Sequence, residues 1–263
     1  MKQLWLVVML ASCGKGGPAK TTADVFAGQH GVVVTATDVR VDGKSLGILP
    51  QRLATDRDAL KSALVANKTE LALAYTDDAS GDAVLGALRG IEDSAAKPIA
   101  KPAADDSGGT AAAMALDEGK MGGGQYKMGG NRHPADTAEI AVTALVGGKP
   151  TEICRVATPP PVDPGDSDDE HVMLTLQIGH AQIDRVVSRL NDRATIHAAD
   201  LDRDLNAQKT AAFFSDRDDI VLAAAPDATG ADVTPVIATA CKVGFREVRP
   251  ASVAELTKRL GQK

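Results

Sequence analysis

The chain has 263 residues, 44% hydrophobic and 24% charged, with a formal net charge of −6. That is globular composition with apolar matter for one large or two small cores, and it excludes a membrane bundle or a collagen-like chain. Aromatic residues make up only 3%, which argues against stacking platforms for single-stranded nucleic acid or sugars; the acidic balance argues further against nucleic acid, whose affinity comes from Lys and Arg neutralising phosphates.

At the N-terminus, Met1-Lys2-Gln3 is a short positive start, Leu4 to Leu10 is an unbroken apolar run, and Ala11 and Ser12 are small residues before Cys13. This pattern predicts an export signal over residues 1–12. The apolar run of seven residues is too short to cross a bilayer, which takes about 20. Leu10-Ala11-Ser12-Cys13 resembles the bacterial lipobox, which implies cleavage before Cys13 and a diacylglycerol on its sulfur. The alternative is an ordinary secretory signal that happens to contain a cysteine. Loss of residues 1–12 removes Lys2 and no acid, so −6 becomes −7, and an anchor of several acyl chains rather than headgroup attraction would hold the chain to a membrane. Residues 13–28, with Gly14, Gly16, Gly17 and Pro18, read as a flexible tether.

Val32 to Thr37 and Val39 to Val41 are strand-like and lead to the turn signal Asp42-Gly43. Leu60, Leu64 and Val65 fall at helical spacing within Arg57 to Asn67, Glu70 to Thr76 suits a buried strand, and Ser80-Gly81 starts a second helix through Val84, Leu85, Leu88 and Ile91. The C-terminal part repeats this order. Val172 to Ile178, Gln182 to Leu190 and Ala194 to His197 read as strands, Asp200 caps a helix to about Phe214, and Ile220 to Ala225 reads as a buried strand. Thr229-Gly230 then starts a helix ended by Gly244, with a strand at Phe245 to Val248 and an amphipathic helix at Ser252 to Leu260. Laying residues 70–84 over 219–233 without gaps gives six identities in fifteen positions, Asp78-Ala79 over Asp227-Ala228 and Gly81 over Gly230 among them. We read this as a tandem duplication. Asp78, Ser80, Asp227 and Thr229 read more readily as turn and N-cap residues than as a reactive group.

Residues 100–135 are a Gly/Met-rich linker in which Met114, Met121 and Met128 are seven apart with His133 nearby. Thioethers bind soft metals such as Cu(I), but Gly122 to Gly124 would break any helix aligning them, so no metal or other cofactor is expected. Residues 136–170 are a short segment followed by a Pro- and acid-rich spacer. Acylation of Cys13 would leave Cys154 and Cys241, either two buried thiols or a disulfide closing a loop of 86 residues. No nucleophile, P-loop or zinc motif is present, and the five histidines show no ligand spacing.

A hairpin with an Asp-Gly turn, a helix, an apolar strand, a second helix ending in Gly-Phe and a closing strand, best seen from Asp219 to Val248, resembles the periplasmic domain of the ExbD/TolR biopolymer-transport family. The expected fold is α+β: two tandem small two-layer α/β domains (hairpin-helix-strand-helix-strand) at 29–99 and 171–263, joined by a flexible linker. Family members carry an N-terminal membrane helix with a proton-coupling Asp, which the seven-residue run does not supply. The resemblance therefore implies the periplasmic tasks alone: dimerising, contacting partner proteins or touching peptidoglycan. The expectation is a noncatalytic, lipid-anchored scaffold facing the periplasm from the bacterial envelope, with the outer membrane favoured. Its partners would be envelope proteins of a transport or tethering system. Peptidoglycan and a second copy of the chain are further candidates, the membrane is touched only through the lipid, and nucleic acid is not expected. The alternatives are a peptidoglycan- or metal-binding lipoprotein and a hydrolase whose site leaves no motif.

Overall fold

Apolar residues alternate along the strands of this chain, and the alternation divides each sheet into an inner and an outer face. The computed structural model describes residues 25–26, 28–67, 70–95, 138–158, 172–188, 190 and 192–261. The predicted signal, Cys13, the Gly-rich start of the tether, the linker with Met114, Met121, Met128 and His133, and spacer residues 159–170 lie outside the described residues.

The first unit comprises β1 (Val32–Val34), β2 (Val39–Val41), β3 (Lys44–Ser45), a 3-10 turn (Pro50–Ala54), α1 (Asp58–Asn67), β4 (Ala72–Tyr75), α2 (Gly81–Ala95), β5 (Glu139–Val146) and β6 (Lys149–Ala157). The second comprises β7 (Leu174–Ile178), β8 (Ile183–Val187), β9 (Asp192–Ile196), a 3-10 turn (Ala198–Asp200), α3 (Leu201–Thr210), β10 (Asp219–Ala224), α4 (Gly230–Val243), β11 (Glu247–Pro250) and α5 (Val253–Gly261). The fold is α+β with two mixed sheets, ordered β3-β2-β1-β4-β5-β6 and β9-β8-β7-β10-β11. The first five strands of each sheet occur in the same order, with the same parallel pairs: β1 with β4 and β4 with β5, β7 with β10 and β10 with β11. After the fifth strand the units diverge, one adding the hairpin partner β6 and the other the helix α5.

Asp42-Gly43 joins β2 to β3 as the sequence indicates. Both residues have positive φ, +48° and +77°, the requirement of the tight turn that matches strand twist. The Asp42 carboxylate also accepts the N–H of Gly31 at 2.9 Å. Two boundaries move. Asp200 makes no side-chain cap on α3 and pairs instead with Arg203 at 2.7 Å. The helix stops at Thr210, because Ala211 turns to extended backbone and Phe214 is carried into the core.

Three expectations are corrected. Residues 136–157 are not a segment apart from both domains: β5 runs parallel to β4, with Leu73 opposite Val142, and β6 closes on β5 as a hairpin. Ile140, Val142, Ala144 and Val156 bury there, and that burial repays the closure of the long connection between α2 and β5, whose entropic cost rises only slowly with length. The 100–135 linker thus interrupts the first unit rather than joining two finished ones; residues 159–171 connect the units. Nor are there two separate cores. The inner faces of both sheets and buried residues of α1 to α4, among them Leu60, Leu88, Leu205 and Ile237, form one cluster.

The outer faces are covered differently. On the second sheet, Val221 and Ala223 pack with Met173 under Leu256 of α5. On the first, Val33 and Ala74 pack under Phe26 and against Leu145.

Candidate functional site

The two Asp-Ala-Ser/Thr-Gly loops, which the sequence marks as duplicated, meet each other. The N–H of Gly81 donates to the carbonyl of Ala228 at 2.8 Å, and the N–H of Gly230 donates to the carbonyl of Ala79 at 2.7 Å. These two bonds are each other's image under the repeat, and Ser80 and Thr229 form an antiparallel bridge between them. The absence of a side chain at both glycines permits this approach. A Cβ on Gly81 would come within 2.9 Å of Cβ of Ala224, and one on Gly230 within 3.0 Å of Cδ2 of Tyr75; Ala224 and Tyr75 are themselves equivalent positions in the repeat. Residue i of one unit touches j of the other while j touches i, the isologous pattern of a two-fold interface. The seam adds a hydrogen bond of 3.1 Å between Tyr75 Oη and Thr234 Oγ1.

The loop residues serve turn and cap roles. Thr229 and Asp232 make a reciprocal capping box at the start of α4. The hydroxyl of Thr76 donates to Asp78 at 2.5 Å. Asp232 also lies 3.4 Å from Nδ1 of His180. Burial raises its pKa, but the Thr229 backbone and hydroxyl bonds and His180 outweigh this and hold it below the usual carboxylate value.

On either side of the paired loops the seam is closed by different chemistry. On one edge, Cys154 of β6 is joined to Cys241 of α4 by a disulfide, with their Cα atoms 6.1 Å apart. The N–H of Ala157 also donates to the carbonyl of Arg246 at 2.8 Å. On the other edge, α2 lies against β11 and the start of α5. Arg89 holds both oxygens of Glu255, at 3.0 and 2.9 Å, while Glu255 and Ser252 cap α5 reciprocally. Burial raises the pKa of Glu255, but the Ser252 N–H and Arg89 overcome it and leave a net lowering.

Glu92, one turn beyond Arg89, is buried at 6% exposure. Desolvation first, then the charge of Asp93, pushes its pKa up to about 9, so it is protonated at neutral pH. Along this edge runs a shallow, open depression lined by Arg57, Asp82, Leu85, Gly86, Arg89 and Pro250 to Ser252, with room for about one water molecule and far smaller than a pocket that encloses an organic ligand.

Of the residues singled out from sequence, the structure brings together Cys154 and Cys241; Cys13, Met114, Met121, Met128 and His133 lie outside the described residues. Asp218 pairs with Lys209 at 3.0 Å. Asp219 takes both arms of Arg217, at 2.8 and 2.6 Å. The acidic pair at the start of β10 therefore serves ion pairing. Among the described residues, no group of three or more His, Cys, Asp or Glu is placed to hold a metal, and no helix is long and apolar enough to cross a membrane. Glu92 and the Arg89–Glu255 pair emerge only from the structure. The signals for them in the sequence are slight: Ser252 and Glu255 stand at capping-box spacing, and Glu92 directly follows the apolar stripe Leu85, Leu88, Ile91.

No protein-family model matches the chain, and no curated protein matches it.

Proposed function

We propose that this chain is a noncatalytic binding or scaffold protein of the bacterial cell envelope, lipid-anchored through Cys13 and related to the periplasmic domains of the ExbD/TolR biopolymer-transport family. The observation that carries the proposal is the reciprocal pairing of Gly81 with Ala228 and of Gly230 with Ala79. A duplicated unit that meets its own copy through an isologous seam is an intramolecular counterpart of a homodimer, and dimerising is one of the tasks that the resemblance implies. The strand and helix order of both units agrees with the hairpin-helix-strand-helix-strand order on which the resemblance rests.

In this reading the seam holds two equivalent α/β units as one body, and the lipid confines that body to the membrane surface without a spanning helix. The partners are envelope proteins of a transport or tethering system, with peptidoglycan as the alternative ligand. Metabolic labelling with a radioactive fatty acid tests the anchor: label is expected on the full chain and lost in Cys13→Ser, and equal label in both would overturn it. Purified protein beginning after Cys13 is then incubated with peptidoglycan sacculi and, separately, with detergent-solubilised envelope. Capture of motor-type membrane proteins supports the transport reading, whereas retention on sacculi alone favours the wall-binding alternative.

A further inference from the structure

Glu92 and Cys241 occupy the same place in the repeat, each eleven residues after the glycine that opens its helix. α2 and α4 also share their buried stripe, Val84, Leu88 and Ile91 answering to Val233, Ile237 and Ala240. The two helices thus present position-matched residues to the opposite unit, and the two edges of the seam can be compared group for group. At Cys241 the contact is a covalent bond to β6. At Glu92 it is a buried carboxyl whose Oε1 meets no hydrogen-bond donor among the described residues. Around Glu92 stand Arg89 and Asp93 of its own helix and Glu247 and Arg249 of β11. Arg57 and Lys61, from α1 and the turn before it, lie 3.6 and 3.2 Å from Asp93. Two carboxyl groups, Glu92 and Glu247, are therefore buried at one edge of the seam. Burial of an incompletely hydrogen-bonded carboxyl disfavours the closed arrangement, and the Arg89–Glu255 pair that spans the same edge is partly exposed and hence weak. The depression between α2 and Pro250 to Ser252 follows this edge.

We propose that the seam opens along its α2–β11 edge, with the Cys154–Cys241 edge as a fixed hinge. Opening separates Arg89 from Glu255, gives Glu92 access to water and widens the depression between α2 and the start of α5. The disulfide keeps α4 on β6 throughout. The asymmetry turns a symmetric pairing into a one-sided clamp.

Hydrogen–deuterium exchange of the oxidised chain at pH 8, read by mass spectrometry and corrected for intrinsic rates, tests this. Amides of 89–95 and 247–256 are expected to exchange roughly tenfold faster than those of 152–157 and 238–243; equal or reversed protection would overturn the proposal. Glu92→Gln removes the ionisable group and is expected to slow exchange at 89–95 and 247–256 while leaving 152–157 unchanged; no change, or uniform slowing of the whole chain, counts against it. Replacing Cys154 and Cys241 together by Ser is expected to bring 152–157 close to the rate of 247–256, and undiminished protection there would show that the disulfide is not the hinge. If the double variant does not fold, the comparison of edges in the oxidised chain and the Glu92→Gln arm still decide the matter.

Discussion

Gly230 of the second unit sits directly against the backbone of Thr76 in the first: a Cβ there would run into the Thr76 carbonyl oxygen, with Cδ2 of Tyr75 at 3.0 Å. The carbonyl is fixed by the strand it ends, so it has little room to yield. Gly230→Ala would gain up to about 1 kcal/mol of helix propensity, but overpacking against immobile backbone costs about 3 kcal/mol. The clash wins, and a net loss of about 2 kcal/mol is expected from urea denaturation. Gly81→Ala should act in the same direction. A Gly230→Ala protein as stable as the parent would mean that the loops do not meet as described.

Cys154 and Cys241 cross-link the units across a sequence separation of 87. In the chain-entropy account, a loop of that size is worth about 4–5 kcal/mol at 25 °C, several times the ~0.2–1 kcal/mol of a partly exposed ion pair such as Arg89–Glu255. Denaturation with and without a phosphine reductant should therefore show a large drop in midpoint, with most of the loss in resistance to unfolding of the seam. Cys154 is buried, so reduction is expected to be slow in the folded protein and fast in denaturant. A midpoint unmoved by complete reduction contradicts the assignment.

Glu92 gives the seam a pH dependence whose sign is fixed. Burial raises its pKa from an ordinary 4.5 to about 9 in the folded chain, so the folded state binds a proton that the unfolded state releases between those values. Stability from this group is fully present below pH 4.5, declines as pH rises, and levels off above about 9. Gln resembles the protonated form. Glu92→Gln is accordingly expected to stabilise the protein by about 3 kcal/mol at pH 7, and by almost nothing at pH 4. Chemical denaturation at the two pH values checks this; equal effects at both would mean that Glu92 is not buried in the seam.

The elements that are local in sequence are the legible ones. Asp42-Gly43 carries its turn in its own residue types, and Thr229 with Asp232 carries its cap, because each needs partners only a few residues away. The duplication is visible in Asp-Ala-Ser/Thr-Gly. That the two copies touch each other is not, since the contact is made by backbone N–H and C=O groups, which every residue has. β5 is hidden for a related reason: Ile140, Val142 and Ala144 alternate as a strand should, but the partner, β4, is more than sixty residues earlier. In the sequence Glu92 is one more acid near a helix end. Its environment is set by β11 of the other unit, and no spacing within α2 reports it.

The use of the seam within one chain has a consequence for assembly. An isologous surface is complementary to itself, so two free copies of such a unit would pair through it. Here that surface is already filled by the covalently linked second copy, with Gly81 and Gly230 hydrogen-bonded across it and Cys154 bonded to Cys241 beside it. The linked copy is present at an effective concentration on the order of millimolar, well above that of protein in dilute solution. Light scattering on protein beginning after Cys13 should therefore give one chain per particle at micromolar concentration, in oxidising buffer. Under reducing conditions the two units remain joined through the chain, so one chain per particle is still expected at micromolar concentration, with growth in mass only as the protein approaches that effective concentration. A dimer that persists in the oxidised state, and survives Gly81→Ala and Gly230→Ala, would have to use a different surface and would separate the self-association of this chain from its repeat.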